Sequence, residues 1–480
     1  MCLIQQNEGD VEQRRRGWAR GGKLSVFCCC LACALADLSY ALFAPFFPSL
    51  AVSRGVSHAA VGAVFAQPML VMLMLTPLAP RLIQYAGCNR VLLVGMLIQS
   101  ISVLAFAFIE RLEEPLHFTI AALLLRSVQG GASAFFETAA GSLVMRAVPE
   151  NMVGDAIGWT EAARGLGSLG GPPLGGLLFQ TAGFEAPFLA AGGAMLLMNG
   201  VQLVIALSKT STSAALLPPA DASATASKAS SSPWRMLQMP PIAAGAFICT
   251  CFLIAISFLD PSLQPEMKAR FGMGPAQVGL LFGTLILAYI LLSLVAGATA
   301  SRLGSLLQLN LGIALTGLGY IALGPIPLLP HGERFQSVPQ VAAAMTVIGL
   351  GAGLGYVPMT NLMLAAARST GRRVDEISDA LSAIVNFSFC VGAAAGPWIG
   401  GVLVQFAGFD WASSILGMCM LSLPAFSLPF MLSASRALKR SKLQPAHAAT
   451  DELLIAAGAT ASVPITESAA TSQQLSEHPP

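Results

Sequence analysis

The sequence predicts an all-α integral membrane protein, with twelve transmembrane helices in two six-helix bundles, and three observations carry that expectation. The first is composition. Of 480 residues, 55% are hydrophobic and only 10% charged. A soluble domain carries about 25% charged residues, so this chain has too little charge to cover a globular surface of its size. The second is a succession of long apolar runs, six on either side of a polar stretch near the middle. The third is self-repetition. Gly167-Ser-Leu-Gly-Gly171-Pro172-Pro-Leu-Gly175-Gly176 returns 225 positions later as Gly392-Ala-Ala-Ala-Gly396-Pro397-Trp-Ile-Gly400-Gly401, and ten of nineteen positions are identical between 167–185 and 392–410. A chain that repeats at half its length is built from two related halves.

Residues 1–23 form a basic tail with Arg14, Arg15, Arg16, Arg20 and Lys23. The apolar run behind it is too long for a signal-peptide core, so no cleaved signal is expected. Apolar segments follow at 24–50, 59–80, 89–109, 117–145, 154–181 and 185–208, making an N-terminal bundle over 24–208. Residues 209–238 are rich in Ser, Ala, Thr and Pro, which cannot build a core, and are expected to form a flexible cytoplasmic linker. Segments at 239–262, 276–299, 307–327, 338–367, 376–405 and 410–433 make the C-terminal bundle over 239–433. Residues 434–480 are expected to be a disordered cytoplasmic tail. Each segment approaches or exceeds the roughly 20 residues that span a bilayer as helix.

The positive residues orient this arrangement. With an even number of spans, nineteen Lys and Arg fall on the side of both tails and the linker, and five on the other. Two, Arg126 and Arg164, remain inside the membrane. The asymmetry places both termini in the cytoplasm. The first and seventh spans carry the repeat as well, at an offset of 217: Pro48, Gly55, Ala59, Gly62, Phe65 and Gly87 align with Pro265, Gly272, Ala276, Gly279, Phe282 and Gly304.

Several classes are excluded. A net charge of +2 suggests no nucleic-acid partner. The ten cysteines lie mostly in apolar runs and show neither a disulfide framework nor metal-ligand spacing. No nucleophile–base pair, Walker loop or zinc signature appears, so neither an enzyme nor a bound cofactor is expected, and without an ATP site the energy must come from an ion gradient.

The glycine stretches now carry a family resemblance. Gly167, Gly171, Pro172, Gly175 and Gly176 resemble the fifth-helix motif of major facilitator antiporters, mirrored by Gly392, Gly396, Pro397, Gly400 and Gly401. Arg126-Ser-Val-Gln129-Gly130-Gly131 is similar to the fourth-helix R-x-x-Q-G motif of that superfamily. The loop Pro80-Arg81-Leu-Ile-Gln-Tyr-Ala-Gly87-Cys-Asn-Arg90 looks like its G-x-x-x-D-R-x-G-R-R loop with the acidic residue missing. Ala44-Pro45-Phe46-Phe47-Pro48, Gly158-Trp-Thr-Glu161 and Gly183-Phe-Glu-Ala-Pro187-Phe188 resemble the vesicular amine transporter branch, in particular its polyamine-transporting members. The resemblance implies the major facilitator fold, with a substrate site near the midplane between the halves, and a monomer as the working unit.

Ionisable residues within spans cost roughly 2.5–3.5 kcal/mol each at a helix centre and invite a functional reading. Arg126 and Glu161 lie at similar depths on neighbouring spans and are expected to pair. The repeat sets Glu161 opposite Asn386, at the same offset of 225. Asp37 sits mid-span with Tyr40, Ala44 and Phe47 following at helical spacing, a carboxylate beside aromatic rings that suits an ammonium group. Asp260, before Pro261, reads as a helix-end residue, and Glu137 as a solvated group near the cytoplasmic mouth; both are secondary candidates.

The function these features suggest is a secondary active transporter exchanging an organic cation, a polyamine or monoamine, for protons by alternating access. Glu161 and Asp37 would share substrate binding and coupling, and Arg126 would set the charge balance. A vesicle or another acidic organelle is the expected membrane. The alternatives are a drug or metabolite antiporter at the plasma membrane and, in another class, a non-transporting sensor on a transporter scaffold.

Overall fold

The computed structural model describes residues 22–148, 152–210, 236–324, 337–368 and 374–459. The expectations for residues 1–21, for 211–235 of the linker and for 460–480 lie outside the described residues. Everything described is helix or short turn. The helices are α1 (Lys23–Ala41), α2 (Phe47–Ser53), α3 (His58–Leu75), α4 (Ala79–Ala86), α5 (Cys88–Phe106), α6 (Pro115–Ala147), α7 (Val153–Ala182), α8 (Glu185–Thr210), α9 (Pro240–Phe271), α10 (Pro275–Leu303), α11 (Ser305–Leu323), α12 (Val338–Arg368) and α13 (Val374–Ala459).

Ten of the described helical stretches are long and apolar enough to cross a membrane. One of them, Ala383–Ala425, runs through Gly408, whose φ of 79° and ψ of 167° break the helix. Dividing α13 there, and counting the 30-residue α7 with its Asp155, Glu161 and Arg164, is consistent with the expected twelve.

All six described glycines with positive φ fall into three pairs at the repeat offsets: Gly55 with Gly272, Gly87 with Gly304, and Gly183 with Gly408. A left-handed residue at a helix end costs little only for glycine, so both halves turn their corners alike.

In the first half α1 packs on α7 and α8, α3 on α6, and α5 on α6 and α8; in the second, α9 packs on α13, α10 on α12, and α11 on α12 and α13. The halves meet where α3 lies against α13 and α7 against α10, two contacts that the repeat relates to each other. The glycine motifs make both kinds of junction. A side chain at Gly167 would run into the α1 backbone at Ala34 and one at Gly175 into the backbone of Leu42 just past α1, and one at Gly396 or Gly400 into the α9 backbone at Ile254 or Phe258. The last glycine of each motif faces the other half instead: Gly176 abuts the Pro275 carbonyl, and Gly401 the His58 carbonyl. Small residues let these backbones touch.

These junctions lie at the end of the bundle away from Lys23. Two glutamines tie that end across the halves. Gln264 Oε1 accepts from the Ser49 amide at 2.7 Å, and Gln405 Oε1 from the Ala59 amide at 3.1 Å. Each such bond is worth about 1 kcal/mol net. Gln264→Ala with Gln405→Ala should therefore shift the balance toward opening this end by roughly 30-fold, read as faster amide exchange over 47–62; unchanged exchange would mean the glycine junctions alone hold the end shut.

Two boundaries differ from the sequence expectation. α9 does not stop at 262 but continues to Phe271 with Pro261 and Pro265 inside it, because neighbouring packing tolerates proline in a buried helix. α13 continues through 434–459, where a disordered tail is expected. That stretch is rich in Ala, Leu, Lys and Arg, the strongest helix formers.

Candidate functional site

The first half carries two layers of polar groups. The deeper one centres on Arg126 of α6, which is 2% exposed. Its Nη1 donates to Gln129 Oε1 at 2.6 Å, one turn away on the same helix. Gln129 Nε2 in turn donates to Ser39 Oγ at 3.4 Å, and Ser39 to the Ala36 carbonyl. The guanidinium carbon lies 4.9 Å from the Tyr40 ring centre and 4.1 Å from that of Phe43. Cation–π contact thus stands where a carboxylate partner was expected. Nε and Nη2 have no hydrogen-bond partner among the described residues. The charge that reaches this layer from the second half is Asp260 of α9, which acts on Arg126, Tyr40 and Tyr320.

The second layer centres on Arg164 of α7. Its Nε donates to Asp37 Oδ2 of α1 at 2.8 Å, and its Nη2 to Glu137 Oε2 of α6 at 2.8 Å. Its Nη1 lies 3.9 Å from Glu161 Oε1, one turn away on α7. Three carboxylates converge on one guanidinium. The side chains of Arg164, Asp37 and Glu137 are 28%, 20% and 16% exposed, so the cluster is partly open, while Glu161 is 67% exposed. The cluster looks across to the second half: Glu137 and Arg164 act electrostatically on Cys390 of α13, and Glu161 on Tyr289 of α10 and Tyr356 of α12. Beside it a small pocket is lined by Asp37, Tyr40, Gln99, Gln129, Ser133 and Glu137.

Several expectations are corrected by this geometry. Arg126 and Glu161 do not pair. Glu161 leans to Arg164 three residues on, because i,i+3 neighbours share a helix face, and Arg126 is shut in behind Tyr40 and Phe43. Glu137 is not a solvated mouth residue but a bonded member of the cluster. Asp260 is not at a helix end, since α9 continues through it to Phe271. The face drawn through Asp37, Tyr40, Ala44 and Phe47 is cut when α1 ends at Ala41. Ala44 and Phe47 instead enter an aromatic cluster in which Phe43 stacks on Phe65 at 4.3 Å and Phe47 on Phe118 at 5.7 Å. Asn386 is exposed on α13, and Glu161 is exposed on α7.

Arg164 is the residue that sequence reasoning missed. The signal was present: it is one of two positive residues left inside the membrane, eleven positions into α7, while Asp37 lies fourteen into α1 and Glu137 ten before the end of α6. At 1.5 Å per residue those depths agree within about 6 Å, measured from the same end of the bundle.

The fold and the sequence both have relatives. The family model described as Major Facilitator Superfamily matches residues 29–374 and 246–472. The MFS-type transporter SLC18B1 of Rattus norvegicus is 31% identical over 412 residues, 85% of this chain and 86% of that protein. The chromaffin granule amine transporter of Rattus norvegicus is 27% identical over 363 residues, covering 74% of this chain and 63% of that protein. In fold, the chain superimposes on a bacterial homologue of the human lysosomal transporter Spinster, in an inward-facing and unoccupied conformation, with a TM-score of 0.65 at 12% identity, over 88% of this chain and 98% of that one. The chain is a multi-pass membrane protein that belongs to the Major Facilitator Superfamily, a family of transporters rather than enzymes.

Proposed function

We propose that this protein is a proton-coupled antiporter of an organic cation, a polyamine or monoamine, working by alternating access in the membrane of an acidic vesicle, with both termini in the cytoplasm. The observation that carries this reading is the convergence of Asp37, Glu137 and Glu161 on Arg164 in a partly open cluster. A cation and a proton exchange for one another when both neutralise the same carboxylates, because each then excludes the other. The amine transporters among its relatives support an amine as cargo. Asp37 lines the pocket beside Tyr40 and Asp260 stands on α9 of the second half, so a solute with two separated ammonium groups would have a carboxylate available from each half. Asn386 and Glu161, exposed on the two halves, supply further polar contacts. Arg126, held by Gln129 and the two rings, balances the charge of Asp260.

The test is uptake of labelled spermidine and of labelled monoamines into proteoliposomes, with and without an acidic interior. Uptake should rise with the imposed gradient and collapse when the gradient is dissipated. Gradient-insensitive uptake would remove the proton from the mechanism, and absence of uptake for every amine under a sustained gradient would remove the amine.

A further inference from the structure

We propose that Arg164 is a tethered cation that occupies, in the unloaded protein, the place a substrate ammonium takes on Asp37 and Glu137. The inference rests on the transport reading above and adds to it the group with which the substrate competes.

Four observations lead here. One guanidinium bonds carboxylates from two other helices, each at 2.8 Å, so a single positive charge is shared between α1 and α6 from α7. The cluster is partly open, with all three side chains between 16% and 28% exposed, so a solute can reach the carboxylates that Arg164 holds. Arg126 is the contrast: sealed at 2% exposure and bonded to a neutral glutamine. Third, the repeat does not carry the cluster. Phe389 stands at the offset of 225 from Arg164, and Ile254 at 217 from Asp37; the arginine is therefore no requirement of the packing that the two halves share. Fourth, the adjoining pocket holds a spare acceptor. Gln99 is 2% exposed, lines that pocket with Asp37 and Glu137, and its Oε1 has no partner among the described residues. A buried acceptor without a donor is costly, and an ammonium seated on Asp37 and Glu137 supplies N–H groups to it.

The consequences follow from charge. Carboxylates facing the bilayer interior without a counter-charge oppose closure around them. Arg164 supplies part of that charge when no substrate is present, and protons on the remaining carboxylates supply the rest, so the substrate-free protein changes its open side only with protons aboard and exchange stays coupled. A cation held on the same scaffold also competes at an effective concentration that free amine must exceed, which weakens binding and speeds release. Removing it should tighten binding and confine the protein to exchange.

The experiment uses the full-length protein, purified and reconstituted, with labelled spermidine as the probe. Arg164→Gln should bind spermidine about tenfold more tightly than the unaltered chain. It should retain spermidine–spermidine exchange and lose about tenfold in net efflux into amine-free buffer. A purely structural role would lower both fluxes together and would not tighten binding. Arg164→Lys keeps the charge but not the two-pronged fork, so it should fall between the two in binding and in the ratio of net flux to exchange. It also serves as the measurement should Arg164→Gln not fold. Unaltered binding and an unaltered flux ratio in a folded variant overturn the tethered-cation role while leaving the amine transporter intact. Absence of spermidine binding by the unaltered chain overturns the polyamine reading and this inference with it.

Discussion

Gly175→Leu should yield no stable protein. Gly175 faces the Leu42 carbonyl at the end of α1 so closely that even a Cβ overlaps it, and Gly167 stands in the same relation to Ala34 two turns earlier. The obstacle is backbone on both sides, and no side-chain rotamer change relieves it. Overpacking a core costs about 1–3 kcal/mol when side chains can yield, so the cost here is at least about 3 kcal/mol. That is a large share of the roughly 5–15 kcal/mol by which folded proteins are stable. Gly193→Leu is the control: it adds the same bulk to α8, where nothing lies within 4 Å, and should be nearly silent. Thermal stability in detergent, followed by size-exclusion chromatography, separates the two. A Gly175→Leu protein as stable as Gly193→Leu would show that α1 and α7 do not touch as described.

The second large effect concerns Asp260. Asp260→Asn leaves Arg126 with its bond to Gln129 and without the carboxylate of the second half that acts on it. Stranding one member of a buried pair costs about 3–5 kcal/mol, whereas removing both is often close to neutral. Asp260 and Arg126 share no described bond, so the single variant should cost less than a broken contact pair does. Adding Arg126→Gln should return most of that stability while diamine affinity stays lowered, since the neutral pair offers no carboxylate to the second ammonium. If the double variant is less stable than Asp260→Asn alone, the two residues contribute independently, and Arg126 is held by Tyr40 and Phe43 and not by charge. The same pair of variants tests the proposed two-carboxylate contact for a polyamine, because Asp260→Asn should cost a diamine more affinity than it costs a monoamine.

Local and periodic information sufficed for the scaffold. Long apolar runs, scant charge and the double glycine motif together specify paired helical bundles, because a bilayer permits few other ways to satisfy a buried backbone. The repeat offsets, legible as letters, reappear as the paired left-handed glycines and as the twin junctions of α3 with α13 and α7 with α10. The ionisable residues within the spans were legible too, since each must justify its place in the membrane. Their partners were not. Depth along a helix follows from counting, but the direction a side chain takes depends on helix rotation and on where a helix stops. Counted from the same end of the bundle, Arg126 lies 21 residues into α6 and Glu161 eight into α7, so the two fall in different layers and face different neighbours. α1 ends at Ala41, which sends Phe47 into an aromatic cluster away from Asp37. Only the packing of α1, α6 and α7 brings Asp37, Glu137 and Arg164 together, from positions 37, 137 and 164. Sequence by itself determined that this protein is a two-bundle membrane protein with charges that need a purpose. Tertiary structure decided which charges meet, because pairing depends on the mutual rotation of three helices, which no single helix encodes.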